Sequence, residues 1–146
     1  MPNTAARQLQ AKIRSTIPLS STMQFSIVEL NPQSIIVSAP LQPNINIHGT
    51  GFAGSLYSIA ILTGWALCTH IMASNDMVGD LVVGNAEVKY RAPVTGAINC
   101  RSTVSDIDYE AFQRDFESSG KARLNLQINV GDLPEAVVQG LFVAVK

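Results

Sequence analysis

The sequence predicts an α+β domain in which one curved antiparallel sheet of six strands wraps around a long central apolar helix. No Asp, Glu, Lys or Arg falls between Glu29 and Asp76, a gap of 46 residues that contains the apolar stretch Phe52 to Ala73. Two strand-like segments precede that stretch and four follow it. One of these, Arg123 to Val130, alternates strictly through Leu124, Leu126, Ile128 and Val130, as a strand with one buried and one wet face does. At 146 residues the chain, 1–146, is read as a single domain. With 47 % hydrophobic and only 14 % charged residues it can bury enough surface to offset its ordering entropy, which excludes a disordered chain.

Asn3 is placed to cap a first helix, and Ala5, Leu9, Ile13 and Ile17 follow at spacings of four, until Pro18 ends it. Met23 to Leu30 and Ser34 to Ala39 read as a hairpin around Asn31-Pro32-Gln33. Leu41 to Gly51 reads as an irregular loop. Phe52 to Ala73 is too long for a strand, and a helix apolar on all sides belongs in an interior. Ser74-Asn75-Asp76 closes it. Leu81 to Arg91 is a strand around Val83, Ala86, Val88 and Tyr90, and Ala97 to Val104 is another beyond the turn Pro93–Gly96. Asp106 to Ser118 is a short helix with Ile107, Tyr109, Phe112 and Phe116 on its apolar side and its acids on the wet face. The strands Arg123–Val130 and Ala136–Val145 finish the chain across a Gly131–Pro134 turn.

Phe52 to Ala73 is also long enough to span a bilayer. Ser55, Ser58, Thr63, Gly64, Thr69 and His70 interrupt it and no Lys or Arg flanks it, so a buried core helix is expected and no membrane. Ten basic against eleven acidic residues leave no clustered positive excess for nucleic acid. Cys68 and Cys100 form neither a disulfide framework nor a metal-ligand spacing, and the N-terminus lacks a signal-peptide apolar core. A cytoplasmic location is expected, with no metal. A single sheet leaves bare edges, and the low charge fits a surface covered by a second subunit, so a homodimer or tetramer is expected.

The string Asn44-Ile45-Asn46-Ile47-His48-Gly49-Thr50-Gly51-Phe52-Ala53-Gly54-Ser55, with Thr63-Gly64-Trp65 after it, resembles the YiiD C-terminal domain, a group of thioesterases with the hot-dog fold. Ile17-Pro18-Leu19, Ala39-Pro40-Leu41 and Tyr90-Arg91-Ala92-Pro93-Val94 match the same group. Hot-dog thioesterases of the phenylacetyl-CoA type are similar more distantly. Their Asn aligns with Asn46 and their Gly-Thr with Gly49-Thr50, but Phe52 stands in place of their His and Ile61 in place of their helical Asp. The resemblance implies hydrolysis of an acyl thioester carried on coenzyme A or on acyl carrier protein, at a dimer interface. The pantetheine enters as part of the substrate and no separate cofactor is required.

Hydrolysis needs donors for the developing oxyanion and an aimed water. Gly54 and Ser55, opening the long helix, are the expected backbone donors; alternatively the glycines only shape a tight turn, with Ser55 or Thr50 as N-cap. Asn46 is expected to orient the carbonyl or the water, against a loop Asn bonding its own backbone. Thr63, eight residues after Ser55, is a candidate to position water, against a hydroxyl bonded to the carbonyl of Ile59. His48, Phe52, Tyr57 and Asn85 are candidate substrate contacts, Asn85 reaching in from a partner subunit or simply facing outward. Leu56, Ile59 and Ala60 are expected beside Tyr57 in the acyl slot. Arg91, Lys121 and Arg123 are candidates for the coenzyme phosphates, against solvated strand ends. With the helical acid missing, a non-hydrolytic acyl-CoA-binding or regulatory domain is the alternative reading.

Overall fold

A computed structural model describes residues 2–146. Its elements are α1 (Thr4–Thr16), α2 (Pro18–Met23), β1 (Ser26–Leu30), β2 (Ser34–Ala39), α3 (Ala53–Ser74), β3 (Asp80–Tyr90), β4 (Ile98–Thr103), α4 (Asp106–Ser119), β5 (Lys121–Val130) and β6 (Ala136–Val145). The six strands form one antiparallel sheet in the order β1-β2-β4-β5-β6-β3. The α+β class with a long helix against a six-stranded sheet is the expected one.

α3 lies on the inner face of the sheet and packs against β2 through β6. It is the one helix among the described residues long and apolar enough to cross a bilayer, and the sheet buries most of it instead. Ile59, Leu67 and Ile71 are fully buried, each worth about 1.5–3 kcal/mol of transfer energy. Gly64 sets the depth of this packing: a Cβ there would meet Cζ of Phe142 at 2.5 Å and Cδ1 of Ile128 at 3.2 Å. The far end of α3 is tied down by Asn75, whose Nδ2 donates to the Ile71 carbonyl at 2.8 Å and to the Tyr109 hydroxyl of α4 at 2.9 Å.

Asn3 caps α1 as expected, its Oδ1 accepting from the Ala6 amide at 2.8 Å. α1 ends ahead of Pro18, as expected, but a second, unexpected helix follows at once. Pro18 opens α2, where its fixed φ and missing N–H suit the first helical position. The strand expected from Met23 therefore begins three residues later, at Ser26, and Gln24 closes α2 in a left-handed conformation with φ 57°. The loop before α3 contains a single 3-10 turn at Gln42–Asn44.

The two edges of the sheet differ. Side chains of α1 cover β1: Gln10 Oε1 accepts from the Ile27 amide at 2.6 Å, and Arg14 donates to the Phe25 carbonyl at 2.9 Å. No other strand among the described residues pairs with the outer edge of β3. Val82, Val83 and Tyr90 are exposed along it, the kind of bare edge that a soluble fold ordinarily protects.

Candidate active site

Asn46 builds the loop that delivers the chain to α3. Its Oδ1 accepts from the His48 amide at 2.9 Å and the Thr50 amide at 3.0 Å. Its Nδ2 donates to Thr50 Oγ1 at 2.9 Å and to the Gly51 carbonyl at 3.2 Å. Gly49, at φ 79°, makes the reversal that any Cβ would strain. Below it, Asn44 is buried and donates from Nδ2 to the carbonyls of Met23 and Pro40, both at 2.9 Å. The Phe52 amide is then bonded to the Asn44 carbonyl at 2.7 Å and the Gly51 amide to the Val94 carbonyl at 2.8 Å, which aims the chain into the helix. Replacing Asn46 by alanine is expected to cost about 1–2 kcal/mol of stability, because several loop polar groups lose their partner together. Urea unfolding measures it, and accelerated proteolysis confined to 46–51 locates it.

α3 has Phe52 as its N-cap, with no side-chain bond, so neither Ser55 nor Thr50 caps it. The first amide of this segment bonded back into the chain is that of Leu56, to the Phe52 carbonyl at 3.0 Å. The Gly54 and Ser55 amides have no acceptor among the described residues, and both residues are half-buried. Together with that of the exposed Ala53, these free N–H groups stand at the positive end of a 22-residue helix. The Phe52 ring lies over Gly54, where a Cβ would meet it at 2.6 Å. On the other side the Tyr90 hydroxyl donates to the Ala53 carbonyl at 2.9 Å. Burial, and then the neighbouring Tyr57 phenol, raise the Tyr90 hydroxyl above the ordinary tyrosine pKa.

An apolar groove of about 290 Å³ starts just beyond these amides, between α2, α3 and β3. Tyr57, Ser58, Ile61 and Trp65 form its floor, with Leu19 and Val83 on its walls. Trp65 bridges it to β3, its Nε1 donating to the Leu81 carbonyl at 3.3 Å. Leu56, Ile59 and Ala60, expected here, are core residues instead, because they occupy the helix face turned to the sheet. Ile61 and Trp65 went unassigned from sequence; their spacings of four and eight residues from Tyr57 are the signal that could have placed them.

The loop and the first turn of α3 bring Asn46, His48, Phe52, Gly54 and Ser55 to one end of the molecule, with Tyr57 one residue into the groove. His48 is exposed beside Ile47, which is 93 % exposed. Thr63 is not at that end. It is fully buried, its Oγ1 donates to the Ile59 carbonyl at 2.7 Å, and it lies beside the Cys100 thiol, which burial pushes up to about 12. Asn85 pairs with Leu141 on the outer face of the sheet, because the bulge between Val83 and Asn85 reverses the alternation of β3. The three cations are not gathered in one protomer. Arg91 follows Tyr90, at the α3 N-terminal end. Lys121 and Arg123 pair with Val145 and Val143 at the opposite end of the sheet, on its outer face. Along β5 that separation is about 30 Å.

The family described as putative thioesterase, YiiD C-terminal, matches residues 6–146. This chain belongs to the YiiD C-terminal family of putative thioesterases. A putative thioesterase from Shewanella oneidensis is 35 % identical, with a TM-score of 0.86 over 97 % of this chain and 98 % of that one. A protein of unknown function from Chlorobaculum tepidum superposes at a TM-score of 0.91 with 27 % identity, over 97 % of this chain and 94 % of that one. PaaI of the Escherichia coli phenylacetic acid degradation operon is similar in fold, at 12 % identity and a TM-score of 0.67, over 97 % and 94 % of the two chains. The fold is therefore the hot-dog fold of thioesterases. In this YiiD C-terminal domain Ile61 faces the groove.

Proposed function

We propose that this YiiD C-terminal domain is a cytoplasmic homodimeric hydrolase of acyl thioesters on coenzyme A or acyl carrier protein, which releases a carboxylic acid and a free thiol. The observation that carries the reading is the pair of unpartnered amides, Gly54 and Ser55, at the mouth of an apolar groove. The thioester oxygen rests on those two N–H groups, which stabilise the charge that develops when water attacks. The acyl chain follows Tyr57, Ile61 and Trp65. Asn46 holds the loop that keeps the amides in place, and His48 and Phe52 border the bound thioester. Thr63 supports α3 from the core and leaves the water to solvent-side groups.

The bare β3 edge suits antiparallel pairing with a second copy. Such pairing sets the Asp80 end of the partner's β3 beside the Tyr90 end of this one. It thereby brings Arg91 and the partner's Lys121 and Arg123 toward one end of the dimer, where they can share the phosphates of one carrier; Asn85 lies along the same seam. Sedimentation as a dimer, lost on placing proline at Val82, is the expected behaviour.

The apolar Ile61 favours a second reading, a domain that binds acyl thioesters without hydrolysing them. A steady-state assay over a panel of acyl-CoA and acyl-carrier-protein thioesters, paired with titration of a non-hydrolysable thioether analogue, separates the two. Turnover above buffer supports the hydrolase. Binding without turnover supports the second reading, and neither binding nor turnover overturns both.

A further inference from the structure

A second concavity, of about 530 Å³, lies between α1, the end of α2 and the β1–β2 pair, and none of its lining residues belongs to α3. Its polar wall consists of Arg14, Ser21, Gln24, Ser26 and Ser38. The Arg14 guanidinium is held in place from one edge: Nη2 donates to the Phe25 carbonyl at 2.9 Å and to Ser26 Oγ at 3.0 Å, and Nε to the same carbonyl at 3.3 Å. Its Nη1 donors, the Gln24 amide and the Ser38 hydroxyl have no partner among the described residues. Ser38 stands opposite Ser26 across the strand pair, so it shares the face on which Ser26 holds the guanidinium.

The only charged residue lining the pocket is Arg14. Among the first 75 residues Glu29 is the only acid, against Arg7, Lys12 and Arg14. Glu29 sits at the hairpin end of β1, where it accepts from Asn31 at 3.0 Å, and no carboxylate lines the pocket. A guanidinium edge held in place, with an amide and a hydroxyl lining the same pocket, is a donor set for a tetrahedral oxyanion. The volume exceeds that of a bare phosphate, and Ala39 and Pro40 add an apolar wall.

We propose that this pocket binds a phosphomonoester, its phosphate on Arg14 Nη1, Gln24 Nε2 and Ser38 Oγ and its organic part against Ala39 and Pro40. The site is separate from the α3 N-terminus and stands whether or not the domain hydrolyses thioesters.

The test is phosphorus NMR and calorimetric titration of the full chain with phenyl phosphate and with inorganic phosphate, at constant ionic strength. Phenyl phosphate is expected to saturate below about 10 mM and to bind more tightly than inorganic phosphate. Arg14→Gln is expected to weaken it by at least about tenfold. Arg14 also supports β1, so Gln24→Gly is the control for folding: glycine adopts the left-handed φ without strain, and only the amide is lost. A folded Gln24→Gly protein that binds less well supports the site. Absence of saturation by either ligand, or unchanged binding in both Gln24→Gly and Ser38→Ala, overturns it. Equal affinity for the two phosphates overturns the ester assignment.

Discussion

Gly64→Val is expected to destabilise the domain by at least about 3 kcal/mol, the upper part of the usual range for overpacking a core. Even a methyl at this position would sit 2.5 Å from the Phe142 ring, and Phe142 is fully buried with no room to turn aside. Alanine would recover up to about 1 kcal/mol through its better helix propensity, but valine recovers less because its χ1 is restricted against the preceding turn. The substitution therefore forces α3 away from β5 and β6 along its central turns. Urea unfolding of Gly64→Val, Phe142→Leu and the double variant checks this. The shortened side chain should relieve part of the clash, so that the double variant is more stable than the sum of the two losses. Simple additivity would place the contact elsewhere.

Ile61→Asp is expected to raise kcat/KM for a thioester substrate by at least about 100-fold, the lower end of what a positioned general base supplies. Ile61 is half-buried on the groove floor, about 9 Å along the helix from Ser55. A carboxyl placed among Tyr57, Trp65 and Val83 is desolvated, which raises its pKa and makes its ionised form a stronger base. The same desolvation is expected to cost about 1–3 kcal/mol of stability. Ile61→Asn has nearly the same shape and no base, so it should show the stability loss without the rate gain. If Asp and Asn give equal rates, position 61 touches the acyl chain without reaching the reacting carbonyl, and a base cannot be supplied from the groove floor.

The elements that bury one continuous apolar face were legible in the sequence. The charge-free stretch gave α3 to within one residue at each end, and strict alternation gave β5 apart from its first two residues. Spacings of three, two and two among Val83, Ala86, Val88 and Tyr90 even carry the β3 bulge, since all four turn to the inner face. Pro18 closed the first helix as read, but the same residue also begins α2, because its fixed φ and missing N–H suit a first helical position as well as a helix stop. For the candidate site, the loop motif placed Asn46, His48, Phe52, Gly54 and Ser55 at one end together. Thr63 and Ser55 share a helix, but the sheet claims the face that carries Thr63. Asn85 turned outward because the bulge added a residue to β3. Arg91 and the Lys121–Arg123 pair lie at opposite sheet ends because an antiparallel meander sends β5 and β3 the same way on either side of β6.

Periodicity and chain chemistry by themselves determined which segments are rods or strands, and that an oily helix must lie under the sheet. These are local properties, written in spacings of two and of three to four residues. Tertiary contacts alone decided that α1 seals the β1 edge while β3 stays open, that Phe52 leaves the Gly54 and Ser55 amides uncapped, and that Ile61 faces a groove. Those outcomes depend on which distant backbone groups find partners, and no stretch of sequence carries that by itself.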